Sequence, residues 1–286
     1  MKLLVLGAGG QLGQAMVQQL STTHVVEGRT HRELNISKWD AVRDAVHASR
    51  PDAIINCAAY NNVNEAEARP VPALDANAWG PKYLARAAGD VHATLIHFST
   101  DFVFDGETST PYTEADNPRP QGQYAISKLL GEWFATDAPR AYVLRVESLF
   151  GGVRAKSSVD LLLNAIERGE PARPFPDRVV SPSYVQDVVA ATGAILERRP
   201  PTGLYHCVNT GVTNWLELTR ELARLIDRPD ARIEGQLLAS ANLKPPRPRF
   251  AALSNAKLAA AGISMPTWQD ALRRYVTSRP HARPRT

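Results

Sequence analysis

Seven residues near the start of the chain, Gly7-Ala8-Gly9-Gly10-Gln11-Leu12-Gly13, limit the fold more than any other feature. The apolar run Lys2–Leu6 before them has the character of a buried strand, and Leu12, Met16, Val17 and Leu20 after them recur at helical spacing. A strand that turns through glycines directly into a helix is the opening of a dinucleotide-binding βαβ unit. Glycine at 7, 10 and 13 allows a tight turn, lets the backbone approach a pyrophosphate and lets the helix pack close to the strand; the spacing also admits a reading on Gly7, Gly9 and Gly13. The helix N-terminus then offers free N–H groups to phosphates. Gly7, Gly9, Gly10, Gln11, Leu12 and Gly13 are thus expected at a cofactor, against the plainer reading of a glycine-rich turn without a ligand.

The rest of the chain continues the alternation. His24–Glu27 reads as a second strand, Ser37 as the cap of a helix through Val46, and Ala53–Cys57 as a buried strand. Helical pattern over Trp79–Ala88, a strand at Ala93–Phe98, a helix from near Tyr124 to Phe134 and a strand at Ala141–Val146 follow. This predicts an α/β fold: a doubly wound parallel sheet of Rossmann type with helices on both faces. After about residue 150, Pro171, Pro174, Pro176 and Pro182 break up the chain, and Pro245, Pro246 and Pro248 do so again before a last helical segment. The expected division is a dinucleotide-binding domain over 1–150, completed by 183–210, and a smaller α+β substrate lobe formed by 151–182 and 211–277. The ligand cleft is expected between them.

Charge and composition exclude other classes. The net charge is +4, but Arg279, Arg283 and Arg285 in the last nine residues, without an acid among them, carry +3 of it. A nearly neutral body has no basic stripe for a phosphate backbone, so no nucleic acid is expected, and residues 278–286 read as a disordered basic tail. No apolar run approaches the roughly 20 residues of a membrane span, and glycines interrupt the opening run where an export signal would continue, so a cytoplasmic protein without a membrane partner is expected. Cys57 and Cys207 are too few for a disulfide framework, and Cys57 reads as a small buried hydrophobe. The seven histidines form no metal-ligand pattern, so no metal is expected. Trp133, Trp215 and Trp268 fall in helical patterns and read as core or interface.

Two further groups carry chemistry. Glu27, about 20 residues after the first glycine, suits the ribose hydroxyls of NAD, whereas Arg29 and Arg32 suit the 2′-phosphate of NADP, leaving both cofactors open. Tyr124 and Lys128, four residues apart on a helix, share a face, and a nearby ammonium favours the phenolate of an acid/base tyrosine. Ser99-Thr100-Asp101 ends a strand, where doubly wound sheets place ligands, so the Thr100 hydroxyl and the Tyr124 proton can converge on one carbonyl oxygen.

These motifs, with Asn56-Cys57-Ala58-Ala59-Tyr60, Ser99-Thr100-Asp101-Phe102-Val103-Phe104-Asp105-Gly106, Ser127-Lys128-Leu129-Leu130-Gly131-Glu132, Gly203-Leu204-Tyr205-His206 and Arg247-Pro248-Arg249, resemble the dTDP-4-dehydrorhamnose reductase family of the extended short-chain dehydrogenase/reductase superfamily. The resemblance implies NADPH- or NADH-dependent reduction of the 4-keto group of a nucleotide-linked deoxysugar. It implies Thr100, Tyr124 and Lys128 as catalytic residues, with Tyr124 as proton donor, Thr100 binding the ketone oxygen, and Tyr124 and Lys128 also at the cofactor, Lys128 holding the nicotinamide ribose. It also implies Asn35, Ile36, Ala58, Ala59, Tyr60 and Asn77 near the cofactor, and Phe102, Val103, Ser148 and Arg247 near the substrate. A homodimer is left open as the assembly.

The chain departs from the family pattern at several places. Glu147-Ser148 stands where the family has Ser-Trp, and Glu147 reads either as a carboxylate in the cleft or as a partner of Arg145. The loop from Asn117 to Tyr124 is longer than usual. Rival readings are a 4-epimerase that retains NAD and a non-catalytic subunit of the kind that regulates methionine adenosyltransferase. A dehydratase would need an acidic pair after Thr100, where Asp101 is followed by Phe102.

Overall fold

The structure, a computed structural model, describes residues 1–153 and 155–279. The expected tail therefore lies outside the described residues from 280 onward. Its first two residues are tied down: Ser278 ends the last helix, and Arg279 donates to Glu167 at 3.1 Å and Asn164 at 2.8 Å.

In chain order the elements are β1 (Lys2–Leu6), α1 (Gln11–Leu20), β2 (Val25–Arg29), α2 (Trp39–Ser49), β3 (Ala53–Asn56), α3 (Val63–Ala68), α4 (Pro70–Leu74), α5 (Gly80–Asp90), β4 (Thr94–Thr100), α6 (Gln123–Ala135), β5 (Ala141–Val146), α7 (Ser158–Glu167), β6 (Val179–Val180), α8 (Val185–Arg198), β7 (Gly203–His206), β8 (Thr213–Asn214), α9 (Trp215–Leu225), α10 (Ala256–Ala260) and α11 (Trp268–Ser278). Six strands form one parallel sheet in the order β2-β1-β3-β4-β5-β7. The order reverses between β1 and β3, and a doubly wound sheet opens its ligand crevice at that reversal.

The central strands β1, β3, β4 and β5 are buried on both faces and are therefore mostly apolar, whereas the edge strand β2 is partly exposed and carries Glu27 and Arg29. Leu3 and Val5 of β1 enter the core under α1 and α8, whereas Leu4 and Leu6 enter the core under α2 and α5. Each such fully buried aliphatic side chain contributes about 1.5–3 kcal/mol. Beyond β5 the chain builds a second core in which Phe150 lies 5.3 Å from Tyr184 and 5.7 Å from Tyr275, beside Trp215 and Trp268. A two-stranded antiparallel ribbon, β6 with β8, lies beside it. Arg274 of α11 donates both terminal nitrogens to Asp187 of α8, at 2.9 and 2.8 Å, and so ties this part to the sheet layer.

Three local expectations change. β2 runs two residues further than expected, to Arg29, because it follows β1 in register to Leu6. Ser37 does not cap α2: its N–H and hydroxyl both donate to Asn35 Oδ1, and Lys38 stands at the cap with no side-chain bond. Trp133 is not a core residue; it is 57% exposed, whereas Trp215 and Trp268 are buried as expected. Among the described residues no helix is long and apolar enough to cross a membrane.

Candidate active site

A cleft of about 330 Å³ opens at the carboxyl ends of β1, β3, β4 and β5. Its floor is the glycine turn. Gly7 adopts φ +73°, and a Cβ there would meet the backbone nitrogen of Ala58 at 2.6 Å; a Cβ on Gly13 would meet Gly7 O at 2.2 Å. These two glycines therefore permit backbone-to-backbone packing beneath the cleft, while Gly10, Gln11 and Leu12 line it. No side chain caps the N-terminus of α1, and its first turn carries no acid. Uncapped N–H groups with no opposing carboxylate fit an anionic pyrophosphate, so the residues present suit the expected dinucleotide.

Ala58 and Ala59 line the cleft after β3. Tyr60 and Asn77 act one layer behind. The Asn77 amide accepts from Tyr60 N–H at 2.8 Å and donates to Tyr60 O and to Ser127 Oγ, each at 3.0 Å, and the Ser127 hydroxyl donates to Tyr124 O at 2.7 Å. Asn77 sits in a single π-helical turn, Asp75–Trp79, between α4 and α5. Such turns are uncommon and cluster at functional sites. Here it fixes the Tyr60 loop against the helix that carries Tyr124.

At the rim of β2, Glu27 is already engaged: Arg29 Nε donates to it at 2.9 Å and Ser49 Oγ at 2.8 Å. Burial raises the Glu27 carboxyl, but the bonds from Ser49 and Arg29 outweigh burial and hold it below the usual range. Asn35 is occupied with Ser37, and the Ile36 side chain packs where a Cβ on Gly80 would otherwise sit. Both lie outside the cleft wall.

Thr100, Tyr124 and Lys128 come together in the cleft as expected, with Phe102 and Ser148. Their electrostatics differ from expectation. Burial pushes the Tyr124 phenol up, the Asp101 charge adds to this, and the opposing influence is the hydrogen-bonding hydroxyl of Thr100 rather than Lys128. The Lys128 ammonium instead donates to Phe98 O at 2.5 Å, and burial lowers it to about 8 despite the nearby Glu132. Cys57 beside it is partly buried and lines the cleft, and desolvation raises its thiol.

Val103 is not at the substrate cleft. It is fully buried with Phe104, Leu129 and Leu253, which leaves it no surface to offer a ligand. Arg247 lies on the far side of Phe102, its guanidinium 5.6 Å from the ring, facing a second cavity of about 940 Å³ that Asp177, Lys244 and Arg249 also line. Glu147 does not pair with Arg145. Arg145 is held by Glu132 in a buried bidentate pair at 2.8 and 2.7 Å, while Glu147 accepts from Ser181 and, at 3.0 Å, from the Ser148 hydroxyl.

Two groups escaped the sequence reading. Arg178 places its guanidinium 5.7 Å from the Phe102 ring and 3.7 Å from Asp101 Oδ2, with its Nε buried and unpartnered. Asp101 is 3% exposed and accepts from the Thr100 hydroxyl at 3.0 Å. A single arginine in a proline-broken stretch carries no pattern, whereas the pairing of β4 with β5 holds a clue: Thr100 lies opposite Val146, which brings the next residues, Asp101 and Glu147, to the same edge.

Residues 1–279 match the family described as RmlD substrate binding domain. The dTDP-4-dehydrorhamnose reductase of Mycobacterium tuberculosis is 34% identical over 281 residues, covering 95% of this chain and 91% of that one. The chain belongs to the dTDP-4-dehydrorhamnose reductase family. Its membership extends to the fold: the crystal structure of that enzyme from Clostridium acetobutylicum superposes with a TM-score of 0.90 at 30% identity, over 97% of this chain and 99% of that one. The Bacillus anthracis enzyme, solved in complex with NADP, gives 0.92 at 27% identity, again over 97% and 99%. The family is one of NAD(P)-dependent oxidoreductases of the extended short-chain superfamily, in agreement with the dinucleotide read from the glycine turn.

Proposed function

We propose that this protein reduces the 4-keto group of a nucleotide-linked deoxysugar with NADPH, Tyr124 giving a proton to the carbonyl oxygen. The observation that carries this reading is the meeting of Thr100, Tyr124 and Lys128 in one cleft that also contains the uncapped start of α1. Gly10, Gln11, Leu12 and Lys128 line the cleft and would hold the dinucleotide, which when bound would supply a hydride to the sugar carbon. The chain supplies the proton and the orientation. The Thr100 hydroxyl and the Tyr124 phenol face the carbonyl oxygen, and a phenol raised by burial stays protonated until negative charge develops on that oxygen.

The nucleotide half of the substrate extends past Phe102 into the larger cavity, where the Arg247 guanidinium, 5.6 Å from the Phe102 ring, faces its diphosphate. A comparison of the dTDP-linked keto-sugar with the free keto-sugar tests this extension: turnover is expected only when the nucleotide is attached.

NADPH is favoured over NADH because Glu27 is occupied by Ser49 and Arg29 and is not free to accept from a ribose hydroxyl. Arg29, 43% exposed, keeps donors for a 2′-phosphate. Arg29→Ala is expected to raise KM for NADPH about 10-fold and to leave that for NADH within about twofold, the scale of a lost charge-assisted hydrogen bond. Steady-state kinetics with each cofactor check it.

A further inference from the structure

Asp101 and Glu147 form a buried acid pair at the cleft wall, Asp101 among the residues that line it and Glu147 behind them. They are 3% and 1% exposed, they leave adjacent strands at the same level, and one guanidinium, Arg178, faces both. One cation cannot balance two carboxylates out of water, so one of the two acids keeps its proton. Each acid also accepts from one hydroxyl that lines the cleft: Asp101 from Thr100 at 3.0 Å and Glu147 from Ser148 at 3.0 Å. Asp101 Oδ2 and Arg178 Nε are both buried without a hydrogen-bond partner, so this network is incomplete as a purely structural element.

We propose that the Asp101–Glu147 pair stores one proton and returns it to Tyr124 through the Thr100 hydroxyl, with Asp101 as the residue that hands it on. The inference rests on the reductase reading above. When Tyr124 has given its proton to the carbonyl oxygen, its phenolate takes a proton from Thr100 Oγ1. Thr100 takes one from the Asp101 carboxyl across the same 3.0 Å contact, and Asp101 is left as a carboxylate facing Arg178. The pair regains its proton from solvent before the next turnover, so protons balance and no further reactant is needed.

The groups that face Asp101 set its titration: Glu147 from the end of β5, Tyr124 from α6, and Arg178 from the segment before β6, with Arg247 next to Arg178. Burial raises both carboxyls and the Asp101 charge raises Glu147 further, so the stored proton rests on Glu147 and passes to Thr100 by way of Asp101. Because the acid form feeds the reaction, reduction is expected to decline as pH rises through the upper titration of the pair.

The pH profile of kcat tests this. Glu147→Gln removes the acid on which the proton rests and leaves Asp101, the stronger acid, to hold it, so the alkaline limb is expected to move by about one pH unit or more toward acid. Asp101→Asn is expected to lower kcat about 10-fold or more, to remove the limb, and to leave KM within about twofold. An alkaline limb at the wild-type position in Glu147→Gln overturns the proposal, because a merely structural pair changes rate without moving the limb. Infrared titration of the unliganded protein reads the stored proton independently of turnover. A neutral buried carboxyl band that persists above the ordinary carboxylate range and disappears in Glu147→Gln supports the pair, and its absence from the wild type overturns it. If the protein turns over no keto-sugar while that band is present, the reductase reading fails and the stored proton stands.

Discussion

Tyr124→Phe lowers kcat by about 10³-fold and leaves the Kd for NADPH within about twofold. The scale is that of a general acid removed from a transition state. The change deletes one oxygen from a ring that is 8% exposed and packs edge-on against Phe102 at 5.7 Å, so the aromatic packing survives. The expected cofactor contacts on α1 and around Ala58 do not involve the phenol, and the substitution leaves Lys128, the other expected contact on α6, in place. Stopped-flow reduction combined with fluorescence titration of NADPH separates the two quantities. Equal loss of both shows that the phenol acts in binding rather than in proton transfer.

Glu132→Ala destabilises the fold by about 3–5 kcal/mol, the cost of leaving one member of a buried ion pair alone. The Arg145 side chain is 2% exposed, in the interior of β5. Its other neighbours are the ring of Phe104, 4.8 Å away, and His206. Burial, reinforced by the Arg145 charge, lowers His206 to about 3, so it is neutral and offers no counter-charge. The guanidinium therefore has no second anion to turn to. Glu132 also favours the Lys128 ammonium against burial, so the same substitution weakens the charged form of that lysine. Urea unfolding of Glu132→Ala and Glu132→Gln measures the effect. The amide keeps hydrogen bonds to Arg145 and is expected to lose less; equal stability of all three proteins contradicts the assignment.

The parts legible in the sequence were those whose physics is local. β1, β3, β4 and β5 are short, mostly apolar runs that feed the cores on both faces of the sheet. Gly7 and Gly13 announce a turn that tolerates no Cβ, and Tyr124 with Lys128 announces a shared helical face. What did not show was set across the fold. The charge expected to act on Tyr124 was that of Lys128, but burial turns this ammonium to the backbone of β4, and Thr100 takes its place. Arg145 finds Glu132 on a helix 13 residues earlier in the chain, leaving Glu147 to meet Asp101 across a strand pairing. Val103 follows the Ser99-Thr100-Asp101 triplet one residue after Phe102, yet the 3₁₀ turn over Asp101–Val103 rotates it into the core. A motif gives the order of residues; the turn decides which of them sees the ligand.

The most direct test is the stoichiometry of NADPH oxidation when the purified protein meets dTDP-4-keto-6-deoxy-L-mannose. One NADPH oxidised for each keto-sugar consumed, with the rate lost in Tyr124→Phe, is the expected result. Conversion of a nucleotide sugar to its 4-epimer with no net change in cofactor absorbance contradicts it and makes the same cleft that of an epimerase.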